Sequence, residues 1–120
     1  MRYYTDGSST IGIKSAYCVT NEVGTVLKLQ QTLPVAGIPE FTNNEEEYRG
    51  VIAALELCSA SDQVLTDSLL VVNQVRGLYK IKKPHLKPLC NKVKELLILK
   101  NANLVWIPRE ENLAGKVFSK

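Results

Sequence analysis

After the first third of this chain the spacing of apolar residues changes from two to nearly four, and that change limits the folds open to it. Up to residue 33 the pattern is that of strands, at Arg2–Thr5, Ile11–Thr20 and Thr25–Leu33. Asn21-Glu22-Val23-Gly24 has the residues of a hairpin turn between the second and third. A stretch bearing Pro and Gly follows, Pro34–Thr42. Then Tyr48, Val51, Ile52 and Leu55 mark one face of a helix. Thr42 or Asn43 can cap its start, with Glu45 or Glu46 three residues on completing a capping box. Further along, the pattern predicts a short buried strand at Gln63–Thr66 and a short helix at Leu69–Arg76 stopped by Gly77. Leu86, Leu89, Cys90, Val93 and Leu97 set a long helix that Asn101 and Asn103 break. A strand at Leu104–Ile107 and a terminal helix over Glu110–Phe118 complete the order. Three hairpin-linked strands followed by strands reached through helices describe an α/β fold. Its sheet is mixed, antiparallel first and parallel later, with helices on its faces.

With 120 residues and no repeat, residues 1–120 are expected to form a single domain with a sizeable core. No run approaches the roughly 18 apolar residues that a membrane span needs. Met1-Arg2 leads straight into a strand-like segment, so no signal peptide is expected and the expected compartment is the cytoplasm. Cys18, Cys58 and Cys90 are far apart and embedded in apolar patterns, which reads as buried thiols. The net charge of +3 conceals a polarised distribution. Between Ser68 and Lys94 there is no acid, yet seven of the fifteen basic residues lie there: Arg76, Lys80, Lys82, Lys83, Lys87, Lys92 and Lys94. Such a block fits a polyanionic substrate, or a solvated lysine-rich face.

Three carboxylates stand out against this background. Asp6 ends the first strand and precedes Gly7, which gives the chain freedom to turn. Asp67 ends the strand at Gln63–Thr66. Glu47 is distinguished from its neighbours by helical geometry: at about 100° per residue it falls beside Val51, Ala54 and Cys58. On the same wheel Glu46 points to the solvated side, and Glu45 can pair with Arg49 one turn later for roughly 0.3 kcal/mol. Each acid has an ordinary alternative: a turn residue, a helix cap, a first-turn complement to the helix dipole. Together they suggest more. Adjacent strands can bring Asp6 and Asp67 side by side, with Glu47 coming down from a helix on the same sheet. Three anions so close repel, and bound divalent cations are the natural relief.

Tyr-Thr-Asp-Gly-Ser, Thr-Asn-Asn-x-x-Glu, Leu-Thr-Asp-Ser and Trp-Ile-Pro-Arg-Glu-x-Asn occur in that order over essentially the whole chain. This set resembles ribonuclease H of type 1. The resemblance implies a ribonuclease H-like fold, a five-stranded mixed sheet flanked by helices. It also implies an endonuclease that cuts the RNA strand of an RNA–DNA hybrid, leaving 5′-phosphate and 3′-hydroxyl ends, with two Mg²⁺ or Mn²⁺ ions. By motif match Asp6, Glu47 and Asp67 become metal ligands. Asn43 matches an asparagine that touches the hybrid in relatives. Ser8 and Ser68 are candidates for contacts to the nucleic-acid backbone, Lys80, Lys82, Lys83 and Lys87 for its electrostatic grip, and Arg109 for phosphate handling. A monomer is expected.

The likeness breaks at the end. The family's fourth acid is an aspartate in the last helix, and no aspartate lies between Arg109 and Lys120. One alignment puts that position on Asn112; another, matching the family's upstream asparagine to Asn112, puts it on Lys116. Lysine cannot ligate a cation, so Asn112 is the expected fourth ligand, through an uncharged amide oxygen. Two other readings remain open: a nuclease of the same superfamily acting on DNA, and a hybrid-binding module that has lost catalysis.

Overall fold

The computed structural model describes residues 1–10, 14–32 and 43–118. Five strands form one sheet: β1 (Arg2–Thr10), β2 (Lys14–Thr20), β3 (Val26–Thr32), β4 (Gln63–Thr66) and β5 (Asn103–Trp106), in the order β3-β2-β1-β4-β5. β1 pairs antiparallel with β2, and β2 with β3; β4 and β5 join as parallel strands on the far side of β1. The helices are α1 (Asn43–Leu57), α2 (Leu69–Val75), α3 (Lys87–Lys100) and a single turn, α4 (Gly115–Phe118). This is the mixed α/β sheet expected from the order of elements.

The period of two assigns side chains to faces. Tyr3 of β1, Tyr17 and Val19 of β2, Val64 of β4 and Leu104 of β5 join one core cluster. Tyr48, Val51 and Leu55 of α1, Val71 and Val72 of α2, and Cys90, Val93 and Leu96 of α3 complete it from the helical side. Burying each such Val or Leu is worth roughly 1.5–3 kcal/mol. The alternate positions, Asp6, Cys18 and Leu65, belong to the opposite face, and buried Ala114 lies outside the main cluster with them. All three cysteines are free and buried.

Four local expectations change. β1 does not end at Asp6: it runs on to Thr10, because Asp6–Thr10 pair with Cys18–Lys14 of β2. Gly7 is therefore mid-strand, opposite Tyr17, rather than in a turn. Glu46 is not solvated but fully buried, and Arg49 Nη1 donates to its Oε1 at 2.7 Å. The first turn of α1 presses on β1 and leaves no open side there. The continuous terminal helix is absent: a 3₁₀ turn (Arg109–Glu111) and α4 are separated by Asn112, whose φ of −85° and ψ of 104° are extended. The α3 boundary behaves as the asparagine signal suggested, since Asn101 caps that helix in the left-handed conformation. Thr42, the Pro34–Thr42 stretch, Leu33 and the first residues of the second strand, 11–13, lie outside the described residues.

Candidate active site

Register places the first two acids. Thr5 of β1 sits opposite Thr66 of β4, so the next residues along these parallel strands, Asp6 and Asp67, emerge side by side. The third comes from α1, and Gly7 decides how near it can be. A Cβ at Gly7 would overlap the backbone carbon of Glu46 and the backbone nitrogen of Glu47. Only a residue without a side chain lets the helix sit this close. At that separation the Gly7 N–H donates to Glu47 Oε1 at 3.1 Å, and Thr66 Oγ1 donates to Glu47 Oε2 at 3.4 Å. One ligand atom from each of Asp6, Glu47 and Asp67 lies within 4.8 Å of the others.

Electrostatics shows what this grouping costs the bare protein. Burial pushes the Glu47 carboxyl up to about 9, and the Asp6 charge pushes it the same way. Asp6 is also raised, first by burial; a hydrogen bond with Glu47 and the positive Arg109 act against that shift, while Asp67 adds to it. Glu47 thus keeps a proton at neutral pH and shares it with Asp6. Removing that proton requires a positive charge in its place. Hard oxygen donors at this spacing, on an incompletely covered face, fit a divalent cation of the magnesium class.

The cleft around the acids has a volume of about 420 Å³. Asp6, Gly7, Ser8, Asn43, Asp67 and Arg109 line it, along with residues of the C-terminal segment. The structure thus gathers Ser8, Asn43 and Arg109 around the carboxylates. Ser68 instead caps α2, its Oγ accepting from Val71 N at 3.2 Å. The lysines are a separate feature. Lys80, Lys82 and Lys83 line a second hollow of about 510 Å³ with Leu78, Tyr79 and Asn44, while Lys87 is exposed at the start of α3. Asn43 borders the first hollow and Asn44 the second, so the start of α1 stands between them. His85 is half-exposed, and its Nε2 lies 3.2 Å from Glu45 Oε1.

Asn112 is fully buried. Its amide nitrogen donates to Thr5 O at 2.9 Å and to Asp67 Oδ2 at 3.1 Å, and its Oδ1 accepts from Ala114 N at 3.1 Å. The residue therefore turns a donor, not an oxygen, toward the acids. Because Thr5 O can only accept, this orientation is fixed by chemistry rather than by choice of atom labels. Sequence reasoning missed the role of Gly7, although the Asp-Gly pair marked the place. It also set Lys116 aside, which the structure brings to the wall of the acidic cleft.

Known proteins agree with this geometry. A bifunctional protein of Mycobacterium tuberculosis, Rv2228c, is 41% identical over 80 residues, covering 62% of this chain and 22% of that protein. The chain thus spans about a fifth of the length of the curated relatives it matches. The N-terminal RNase H domain of Rv2228c, solved as a fusion with maltose-binding protein, superposes with a TM-score of 0.72 at 31% identity, covering 98% of this chain and 92% of that one. LC11-RNase H1 in complex with an RNA/DNA hybrid gives 0.66 at 31% identity, over 92% and 87%. RNase H1 from Halobacterium salinarum gives 0.71 at 25% identity, over 97% and 91%. The model of a family described as reverse transcriptase-like matches residues 5–120. With that span, that likeness and three acids meeting within 4.8 Å of one another, the chain belongs to the ribonuclease H type 1-like family.

Proposed function

We propose that residues 1–120 act as one nuclease domain that hydrolyses the RNA strand of RNA–DNA hybrids, leaving 5′-phosphate and 3′-hydroxyl ends. The observation that carries this reading is the convergence of ligand atoms from Asp6, Glu47 and Asp67 within 4.8 Å of one another. Mg²⁺ or Mn²⁺, when bound there, supplies the Lewis acidity that readies water for in-line attack and stabilises the departing 3′ oxygen. Asp6, on the central strand β1, would hold the ion together with Glu47 and Asp67. Glu47 is oriented by Gly7 and Thr66, and gives up its proton on metal binding. Asp67 is steadied by Asn112. Ser8, Asn43 and Arg109 meet the RNA strand where they line the cleft. Lys80, Lys82, Lys83 and Lys87 hold phosphates farther along the hybrid. RNA is told from DNA by its 2′-hydroxyl and by groove shape. The two ions implied by the family resemblance need a further ligand beyond the triad, and Asn112, the residue expected to supply it, spends its oxygen on Ala114.

Among the described residues no helix is long and apolar enough to cross a membrane. We propose that the domain acts as a monomer in the cytoplasm. A labelled hybrid incubated with Mg²⁺ or Mn²⁺, beside duplex DNA, duplex RNA and single strands, tests the function. Cleavage confined to the RNA of the hybrid is expected. Cutting of duplex DNA would instead favour the DNA nuclease, and hybrid binding without cleavage the non-catalytic module.

A further inference from the structure

The segment after β5 crosses the face of the sheet that carries Asp6, and it brings no buried acid with it. Asn112 presents its N–H to Asp67 Oδ2 and has both ends of its amide engaged. A Cβ built on Gly115 would stand 3.5 Å from Asp6 Oδ2, so the backbone at this point closes over that carboxylate. The next residue, exposed Lys116, lines the cleft together with Asp6, Asp67 and Arg109. Among the described residues, the only carboxylate besides those of the two aspartates that lines the cleft is that of exposed Glu110. A cation here would meet an amide donor and two positively charged side chains, with little to ligate it.

We propose that Lys116 is a phosphate-binding residue that takes the place of a second divalent ion, so that the cleft engages its substrate with one metal ion and one ammonium group. The proposal rests on the nuclease reading and sharpens it. The triad, with three negative charges once Glu47 is deprotonated, suits one divalent cation. The ammonium of Lys116 then neutralises a non-bridging oxygen of the scissile phosphate from the opposite side. Its three donors and flexible stem suit a moving, charged oxygen. No proton need leave the lysine; its contribution is a positive charge held where negative charge grows during in-line displacement.

The test counts ions. Mn²⁺ is titrated into the full chain saturated with an RNA–DNA hybrid in the cold, the samples are frozen within seconds, and bound Mn²⁺ is read by electron paramagnetic resonance. One uncoupled ion per chain is expected. Lys116→Asp should bind two, with the spin-coupled signal of a close pair. Lys116→Ala should keep one ion, lose about a hundredfold in cleavage, and show a salt dependence of hybrid binding weaker by about one counterion. Lys116→Arg should recover most of both. Two coupled ions in the unaltered chain, or a Lys116→Ala variant that binds and cleaves normally, would overturn the proposal while leaving the nuclease reading intact. No bound ion together with no cleavage by the unaltered chain would overturn both.

Discussion

The carboxylate cleft and the lysine-lined hollow are built in opposite ways. The carboxylate cleft is made by backbone. Strand register sets Asp6 beside Asp67, and a helix seated on Gly7 brings in Glu47. The lysine-lined hollow is made by side chains on the connection between α2 and α3, and Lys80, Lys82 and Lys83 extend from it on flexible stems. Charges fixed by backbone can be brought close enough to need a metal ion. Charges on long stems outside the cleft add mainly to a diffuse field. The first arrangement suits chemistry at one atom, the second a grip along many phosphates.

If this contrast is right, single changes in the cleft should be severe and changes in the hollow graded. The largest effect is expected from Asp6→Asn, which should lower hybrid cleavage by about three orders of magnitude with an unchanged circular dichroism spectrum. Retained metal-dependent cleavage would remove Asp6 from the site. Next comes Gly7→Ala. The added methyl meets helix backbone, which cannot swing aside as a side chain can. We expect a loss of about 3 kcal/mol in stability, read by urea denaturation, together with weakened metal binding. Unchanged stability would show that α1 is free to retreat.

The third expectation concerns pH in the absence of metal. An unfolded glutamate titrates near 4.5, whereas folded Glu47 titrates at about 9. Between those values the folded chain holds a proton that the unfolded chain has released. Stability should therefore fall as pH rises through that window, and raised Asp6 acts with the same sign. Thermal melts in chelator from pH 5 to 9 should show the decline, and either added Mn²⁺ or Glu47→Gln should flatten it. A flat profile for the unaltered chain would mean that the acids are not confined together. The smallest effect is expected from the triple change Lys80→Ala, Lys82→Ala and Lys83→Ala. It should reduce hybrid affinity at low salt and lower the salt slope by up to about three, leaving kcat within about twofold. A large fall in kcat would place the lysines in the chemistry and dissolve the contrast.

The sequence revealed the acids more readily than their setting. Glu47 could be separated from Glu45 because a helical wheel needs only spacing, and the same wheel gave the buried face of Tyr48, Val51 and Leu55. It misplaced Glu46 because a wheel has no knowledge of what lies under the first turn; that depends on Gly7, about forty residues away in the chain. Asp-Gly read as a turn because local propensity favours one, while the long-range pairing of Asp6–Thr10 with β2 overrode it. The terminal helix failed for a similar reason. Asn112 is held by Thr5 and Asp67, over a hundred residues and some forty-five residues distant, and that anchorage needs extended backbone. The direction in which the Asn112 amide faces Asp67 is something no spacing rule encodes.

Gly7 carries a final implication. Because strand and helix touch there through bare main chain, the distance between two of the clustered acids is set by atoms that every amino acid shares. Exchanging carboxylates at positions 6 or 47 can retune the charge of the pocket but hardly its width. A variant meant to prefer a larger ion would have to begin at the one position in the strand where nineteen of the twenty residues act as a wedge.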